Sequence, residues 1–572
     1  MKRDITSAYR YYLCAIFLLM VLGCGSKISG KVEDKQTGKP IQSVKIIASM
    51  KTNIAEDKKY ERQEAISRAD GTFLIKGLSP KYSYTIRAEK NDYFSIREAH
   101  IRATPPEKGK TKILDRPLKL VKIAPMMGKV INSLTSKPIT NAEINANIKY
   151  ASTESQRYSR QATVSNENGE FDLILFPGAE YNFTLKKSGY KPYNRRIKHS
   201  FSSNLLLVKI YPIPKWMNTF GGKGNDFGSV IKETADGGYI LLGGNSFESS
   251  GKVDIWVIKF DSDGRMQWDN IFGGKEGEWA GNILQTAEGG YILLGGTVSK
   301  GAGKGDIWLI KLDTNGKIQW DKTFGGPDGE STGSVQLTSD GGYIIAGGTS
   351  SKGSGQMDIW VIKIDSKGKI LWDKTFGGRK HDTGTSIRQT ADGAYIIAGN
   401  TTSKGSGQMD IWVIKIDSKG KILWDKTFGG RKSEWVKSFQ LTTDGAYILA
   451  GSTSSKGTGK NDAWVIKIDS EGKILWDKTF GGKNNESCNS IQQTTDGGFI
   501  FAGSVEKTNR QYDAWIVKLD SKGREVGSDT FGGGIWDCFY DIQQTSTGGF
   551  ILVGNTDSRA TGDYDALVML LN

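Results

Sequence analysis

Histidine and cysteine are nearly absent from this chain, with 3 His and 4 Cys in 572 residues. His100, His199 and His381 stand alone, none in an H-E-x-x-H or H-x-x-E setting, so a zinc peptidase centre is not supported. His381 is the only histidine after residue 213, and no Ser-His-Asp or Cys-His set can be assembled there. Proline is sparse at 12 residues, and the 73 glycines follow no G-X-Y period, which excludes a collagen-like chain. Tryptophan is missing before Trp216, although the chain holds 15. Acids are scarce in the same region: residues 25–213 carry 34 Lys/Arg against 18 Asp/Glu, whereas 214–572 carry 40 against 43. The net charge of +15 therefore belongs to the front of the chain.

What is present describes a folded, repetitive β protein. Hydrophobic residues make up 37 % and aromatics 10 %, enough to fold, and the length suggests about three or four domains. Abundant glycine with little proline points to many tight turns between short strands. The sequence predicts an all-β chain: a leader at 1–24, two tandem β-sandwiches at 25–123 and 124–213, and a seven-bladed β-propeller at 214–572.

Lys2, Arg3 and Arg10 precede an apolar run, Tyr11 to Gly23, that is too short to span a bilayer comfortably. The run ends in Val21-Leu22-Gly23-Cys24 and resembles the lipobox of bacterial lipoproteins. That resemblance implies cleavage before Cys24 and a lipid on its thiol, so the implied partner is a membrane. Gly25 stands where an aspartate would signal inner-membrane retention, which points to the outer membrane. Cys488 and Cys538 would then be the remaining thiols, and two free cysteines are expected.

Residues 25–213 are a duplication. Gly30-Lys31-Val32, Lys39-Pro40-Ile41 and Asp70-Gly71-Thr72-Phe73 recur 98 residues later as Gly128-Lys129-Val130, Lys137-Pro138-Ile139 and Asn168-Gly169-Glu170-Phe171. Alternating runs such as Tyr82-Ser83-Tyr84-Thr85-Ile86 have the period of half-buried strands. These landmarks resemble the carboxypeptidase-regulatory-like family of small transthyretin-like sandwiches. There the module is accessory, not catalytic. Its basic surface reads either as a face for anionic lipid headgroups, surface polysaccharide or nucleic acid, or as a solvated spacer with evenly spread lysines, and the spacer is the reading expected. No aromatic interleaving suits it to single-stranded nucleic acid, which is not expected as a partner.

From Trp216 the chain repeats every 51 or 52 residues, with Phe-Gly-Gly beginning at Phe220, Phe272, Phe324, Phe376, Phe428, Phe480 and Phe531. A period near 50 in a β chain indicates a propeller or solenoid. The third unit reads as strands Ser334 to Thr338, Gly342 to Gly347, Asp358 to Ile364 and Lys369 to Phe376. The Ile-Trp-Val-Ile-Lys-Ile run is apolar on both faces, as a strand between two packed neighbours must be. The chain stops after a third strand, Asp565 to Leu570, while Lys215 to Phe220 supplies a fourth strand at the start. The two are expected to close the ring. The unit resembles repeats of exported bacterial propeller proteins without assigned activity.

One face of such a ring would carry the near-invariant Asp-Gly-Gly and Asp-Ser-Lys-Gly turns, and the other the variable loops, where binding is expected. Seven acids recur on that second face, six residues after each marker Phe: Asp226, Glu278, Glu330, Asp382, Glu434, Glu486 and Asp537. They read either as a carboxylate ring at the channel mouth or as hydrogen-bond acceptors that fix the start of each strand. Phe227, Trp279, Trp435 and Trp536 are candidate contact aromatics. Ser351–Lys380 and Ser403–Lys432 are identical, which argues against a specialised catalytic site between those units. Gly353 to Asp358 mimics a phosphate loop but lacks the third glycine and a helix.

Asp365 to Trp372 resembles the tryptophan-docking repeat of quinoprotein dehydrogenases, which implies a quinone-dependent or carbohydrate-active enzyme as the alternative. Those enzymes usually carry eight blades and a threonine before the glycine, where this chain has seven units and Lys367. Propeller lipoproteins of outer-membrane barrel assembly are similar as well, though they lack the sandwiches. The expectation is a non-enzymatic envelope lipoprotein binding a protein or polysaccharide, with no catalytic residues, metal or cofactor.

Overall fold

The computed structural model describes residues 13–14, 18–21, 26–34, 39–50, 62–70, 72–78, 83–90, 93–95, 99–102, 118–122, 126–149, 160–175, 179–198, 205–246, 252–507, 511–558, 560 and 563–571. Cys24 and His199 lie outside them. Every regular element among the described residues is a strand. Contacts divide the chain into two compact units. One comprises Met1–Ile131, Pro138–Lys187 and Pro192–Val208; the other comprises Asn132–Lys137, Ser188–Lys191 and Lys209–Asn572.

In the front part of the chain the duplication is visible atom by atom. Strand Lys45–Met50 pairs with Arg62–Ile66 and Ser83–Glu89. Its counterpart Glu143–Ile148 pairs with Arg160–Val164 and Glu180–Lys186. Buried Ser67 donates to the Ile41 carbonyl at 2.8 Å and accepts from Val44 N–H at 2.9 Å. Ser165 repeats this with Ile139 and Ala142, at 2.6 and 2.9 Å. A second sheet in each copy carries Ser26–Asp34 with Thr72–Leu78, and Met126–Asn132 with Glu170–Leu173. Val32, Ile46 and Phe73 are buried in the first copy, and Val130, Ile144 and Phe171 in the second. Of the apolar run Tyr11 to Gly23, Leu18–Val21 pairs with Ser26–Asp34.

From residue 214 the described chain forms seven four-stranded antiparallel sheets. We number them 1 to 7: 227–272, 278–324, 330–376, 382–428, 434–480, 486–531, and 537–571 with 214–220. Glycine sets the turns within each sheet. Gly341 (φ +79°) and Gly368 (φ +80°) occupy left-handed positions that a β-carbon would strain. In sheet 3 the strands are Glu330–Leu337, Tyr343–Thr349, Asp358–Ile364 and Ile370–Phe376. The first begins four residues before its expected start at Ser334. A bulge at Gly333 interrupts the apolar alternation, but pairing continues from Thr332 back to Glu330 opposite Thr349.

Each sheet packs face to face on the next. Ile255 and Phe272 of sheet 1, for example, share a core with Ile283, Tyr291 and Trp308 of sheet 2. The series returns on itself, because Val553 and Val568 of sheet 7 share a core with Ile231 and Trp256 of sheet 1. Sheet 7 is completed by the start of the repeat region: Pro214–Phe220 pairs antiparallel with Asp565–Leu571. Such pairing removes an open strand edge. The strands Asp358–Ile364 and Asp462–Ile468 are buried along their whole length, as burial on both faces requires. Within this unit Leu134 belongs to the same core cluster as Phe539 and Met569, and Lys191 pairs with Asp529 at 2.6 Å, so the unit includes residues ahead of 214.

Candidate functional site

The seven recurring acids are buried. Each sits at or beside the start of the first strand of its sheet, and all are at most 4 % exposed. Each accepts a backbone N–H from the second glycine of Phe-Gly-Gly, as in Gly222 to Asp226 at 2.7 Å, Gly378 to Asp382 at 2.8 Å and Gly482 to Glu486 at 3.0 Å. Five also accept a threonine hydroxyl: Thr297 to Glu278 and Thr349 to Glu330, both at 2.8 Å, Thr453 to Glu434 at 3.0 Å, and Thr401 to Asp382 and Thr556 to Asp537. Five use their own N–H to reach back to the preceding sheet or the loop that leads from it, as Glu330 does to the Gly305 carbonyl at 2.8 Å. These carboxylates join sheet to sheet. A buried anion needs such donors to be retained.

A second acid, overlooked in the sequence, belongs to the same junctions. It is the aspartate at the start of the third strand: Asp254, Asp306, Asp358, Asp410, Asp462, Asp513 and Asp565. At five of the seven junctions the first glycine of Phe-Gly-Gly lies against both acids. A β-carbon on Gly325 would collide with Asp306 Oδ1 and lie 2.7 Å from Glu330 Oε2. The Asp-Ile-Trp repeat carried the signal, but pairing across a sheet junction is tertiary. Burial, then a hydrogen bond to Glu278 and its charge, pushes the Asp254 pKa from 3.8 up to about 6. Burial likewise raises Asp226, Asp410 and Glu486.

Asp254 thus binds a proton more tightly folded than unfolded, and its ionisation opposes folding. Its destabilising effect is absent below about pH 4, grows as pH rises to about 6, and persists above. Asp254→Asn is expected to stabilise the protein at neutral pH by about 1–2 kcal/mol, less than the whole shift implies because water reaches this side chain. Denaturant midpoints between about pH 4 and pH 8 would check it. A variant whose pH profile parallels the wild type would refute the assignment.

The candidate aromatics divide. Trp279 donates through Nε1 to Thr332 Oγ1 at 3.1 Å, and both Phe227 and Trp279 cover a glycine of their own sheet, Gly244 and Gly296. Trp536 is half-buried against Tyr512, with ring centroids 4.4 Å apart. Trp435 is the open one, at 39 % exposure, and Ile535 next to Trp536 is exposed at 65 %. The docking tryptophans of the fourth strands are architectural: Trp268 and Trp372 meet Tyr291 and Tyr395 of the following sheets edge-on at 6.1 Å. Cys488 and Cys538 are free and buried, and burial raises both thiol pKa values.

The first strands of all seven sheets line one cavity of about 870 Å³. Of the seven acids named first, only Asp226 reaches its wall. The cavity's chemistry is carried instead by residues that the sequence reading did not select: Lys232, Arg388, Lys437, Tyr540 and Asp541. They occupy positions where the other repeats mostly have Ser, Gly, Thr, Asn or Gln, so departure from the repeat was the available signal. Lys232 pairs with Asp541 at 2.6 Å. Asp541 also accepts from Ser490 Oγ at 2.8 Å and Ile231 N–H at 3.2 Å. Burial raises the Tyr540 pKa above its ordinary value.

Seven sheets of one pattern, packed successively and joined last to first, define a β-propeller-like repeat protein whose strands surround a polar cavity. No family model matches the chain. The regulatory protein FlaEY of Caulobacter vibrioides is 24 % identical over 261 residues, which cover 41 % of this chain and 27 % of that relative. The match thus spans about a quarter of the relative's length. Among solved structures, the Pan2 WD40 domain of Neurospora crassa aligns with a TM-score of 0.38 at 11 % identity, covering 60 % of this chain and 89 % of that one. The β-propeller domain of the trilobed protease from Pyrococcus furiosus aligns with a TM-score of 0.36 at 9 % identity, covering 60 % and 93 %. An acylaminoacyl peptidase from Pyrococcus horikoshii aligns at 0.36 and 10 %, covering 60 % and 50 %.

Proposed function

We propose that this chain is an exported lipoprotein that works by binding, not catalysis. Cys24 carries a lipid that holds it to the cell envelope, on the outer membrane. Residues 25–123 and 124–213 are two β-sandwich modules, and 214–572 is a seven-bladed propeller that presents its variable loops to a protein or polysaccharide. The observation that supports this reading is the contrast between the two ends of the sheets. At one end the turns repeat Asp-Gly-Gly or a close variant, with the aspartate held locally, as Asp340 accepts from Gly342 N–H at 3.0 Å and pairs with Lys363 at 2.9 Å. At the other end the loops differ among most of the sheets, those of sheets 3 and 4 sharing the identical runs Ser351–Lys380 and Ser403–Lys432, and Trp435 and Ile535 are exposed there. A rigid frame with variable loops is a binding architecture.

An epitope tag after Asn572, followed by protease treatment of intact and lysed cells, tests the location. Loss of the tag on intact cells would place the loops outside and favour matrix or host ligands. Protection until lysis would place them in the periplasm and favour envelope proteins. A tag recovered only in the soluble cytoplasmic fraction would sink the lipoprotein reading.

A further inference from the structure

The cavity surrounded by the seven first strands holds two cations without a carboxylate of their own. Three acids line it, and each is already engaged. Asp226 accepts from Gly222 and Ser246 N–H at 2.7 and 3.1 Å. Glu233 accepts from Ser546 N–H and Oγ at 2.7 and 2.8 Å. Asp541 holds Lys232, Ser490 and Ile231. Three cations also line the cavity, and of these Lys232 is the one with an ion-pair partner. Arg388, on the first strand of sheet 4, is half-buried and gives one N–H to the Ile387 carbonyl at 2.8 Å. Lys437, on the first strand of sheet 5, is exposed and lies 6.0 Å from the Trp435 ring centroid. The charge of Asp541 is felt at Arg388. Among the described residues, however, neither Arg388 nor Lys437 has a carboxylate within ion-pair distance.

The polar wall around them is rich in donors. Gln336 uses its amide oxygen to accept from Gln389 N–H at 2.6 Å, and Gln543 accepts from Glu233 N–H at 3.0 Å. Those bonds brace adjacent sheets. They occupy the acceptor end of each amide and leave its NH₂ end without a protein acceptor among the described residues. Tyr540 adds a phenol that also bonds the Trp536 and Asn555 side chains. A guanidinium, an ammonium, amide NH₂ groups and a phenol around a cavity of this size form a receptor for negative charge.

We propose that this cavity binds an anionic group, a carboxylate or a phosphate, held by Arg388 and Lys437. Arg388 supplies the planar fork suited to two oxygens, and Lys437 a point charge from the neighbouring sheet. The site lies among the first strands, so it goes beyond the loop-face binding proposed above and does not depend on membrane location.

The test titrates the purified chain with inorganic phosphate and, separately, with succinate, by calorimetry at constant ionic strength. Saturable binding of either probe near one per chain is expected, and the preferred probe identifies the chemistry. The double variant Arg388→Gln/Lys437→Gln should lose at least about tenfold in affinity, while Lys367→Gln, in an exposed turn, keeps it. Should the double variant fail to fold, Lys437→Gln alone, on the cavity wall, should still weaken binding by at least about threefold. Absence of saturable heat with both probes up to about 10 mM would overturn the proposal, as would equal affinity in a folded variant.

Discussion

Trp360→Ala is expected to destabilise the protein by about 3–5 kcal/mol, the range for removing a large buried aromatic. Trp360 is 2 % exposed and packs between two sheets, in one cluster with Leu309 and Phe324 of sheet 2 and Tyr343 of its own sheet 3. Its indole N–H donates to Asp373 Oδ2 at 2.8 Å, and Lys352 both pairs with Asp373 at 2.7 Å and lies over the indole ring at 4.7 Å. Alanine would therefore leave a cavity between two sheets and take a donor from Asp373. Lys352 would still hold that carboxylate, so the loss of packing dominates. Trp372→Ala is the comparison, because Trp372 is only half-buried on the last strand of its sheet and should cost about 1–3 kcal/mol. Urea unfolding of the whole chain, followed by tryptophan fluorescence, gives both values from the midpoint and slope of the transition. A loss under about 1 kcal/mol for Trp360→Ala would mean that the core between the sheets is not packed as described.

Ending the chain at Ala560 is expected to have a larger effect still, with no soluble, folded monomer recovered. The truncation removes Asp565–Leu571, seven residues that are all buried. Val568 and Leu570 belong to the core shared with sheet 1, while Leu567, Met569 and Leu571 belong to the core shared with sheet 6. Two of the cores between sheets would open at once. Pro214–Phe220 would lose the strand it pairs with, and Phe550–Thr556 would become an exposed, apolar sheet edge. Such an edge recruits other chains. Size-exclusion chromatography and near-ultraviolet circular dichroism would report the outcome. A truncated monomer that unfolds at the wild-type temperature would show that the closing pair does not hold the repeats together.

The acids illustrate how far the linear chain could be read. Their recurrence after each Phe-Gly-Gly was plain in the sequence, and so was the choice between an open ring and hydrogen-bond acceptors. The structure buries all seven and supplies donors from glycine N–H and threonine hydroxyl groups. It also brings a second aspartate from the preceding sheet to the junction. That aspartate stands 24 positions earlier in the chain, or across the closing pair for Asp226 and Asp565. The aromatic candidates were less legible. Phe227, Trp279 and Trp435 follow their acids identically, yet only Trp435 is open. Gly244 and Gly296 make room for the other two rings, while Ser452 stands in the matching place of sheet 5.

The sequence by itself determined the class of structure. Turn glycines and the alternation of apolar residues are local properties, each decided within a few residues, and they recur with a period of 51 or 52. Repetition then made every unit a test of the others, and the unpaired strand at each end implied the closing pair that joins 214–220 to 565–571. Only the tertiary structure decided which side chains share a site. Arg388 and Lys437 stand in different repeats, and Lys232 finds Asp541 across 309 residues of chain. That they line one cavity depends on seven strands converging there. The charge of Arg388 matters there because a half-buried cation with no carboxylate at ion-pair distance gains more from an anionic ligand than the same group on an open surface.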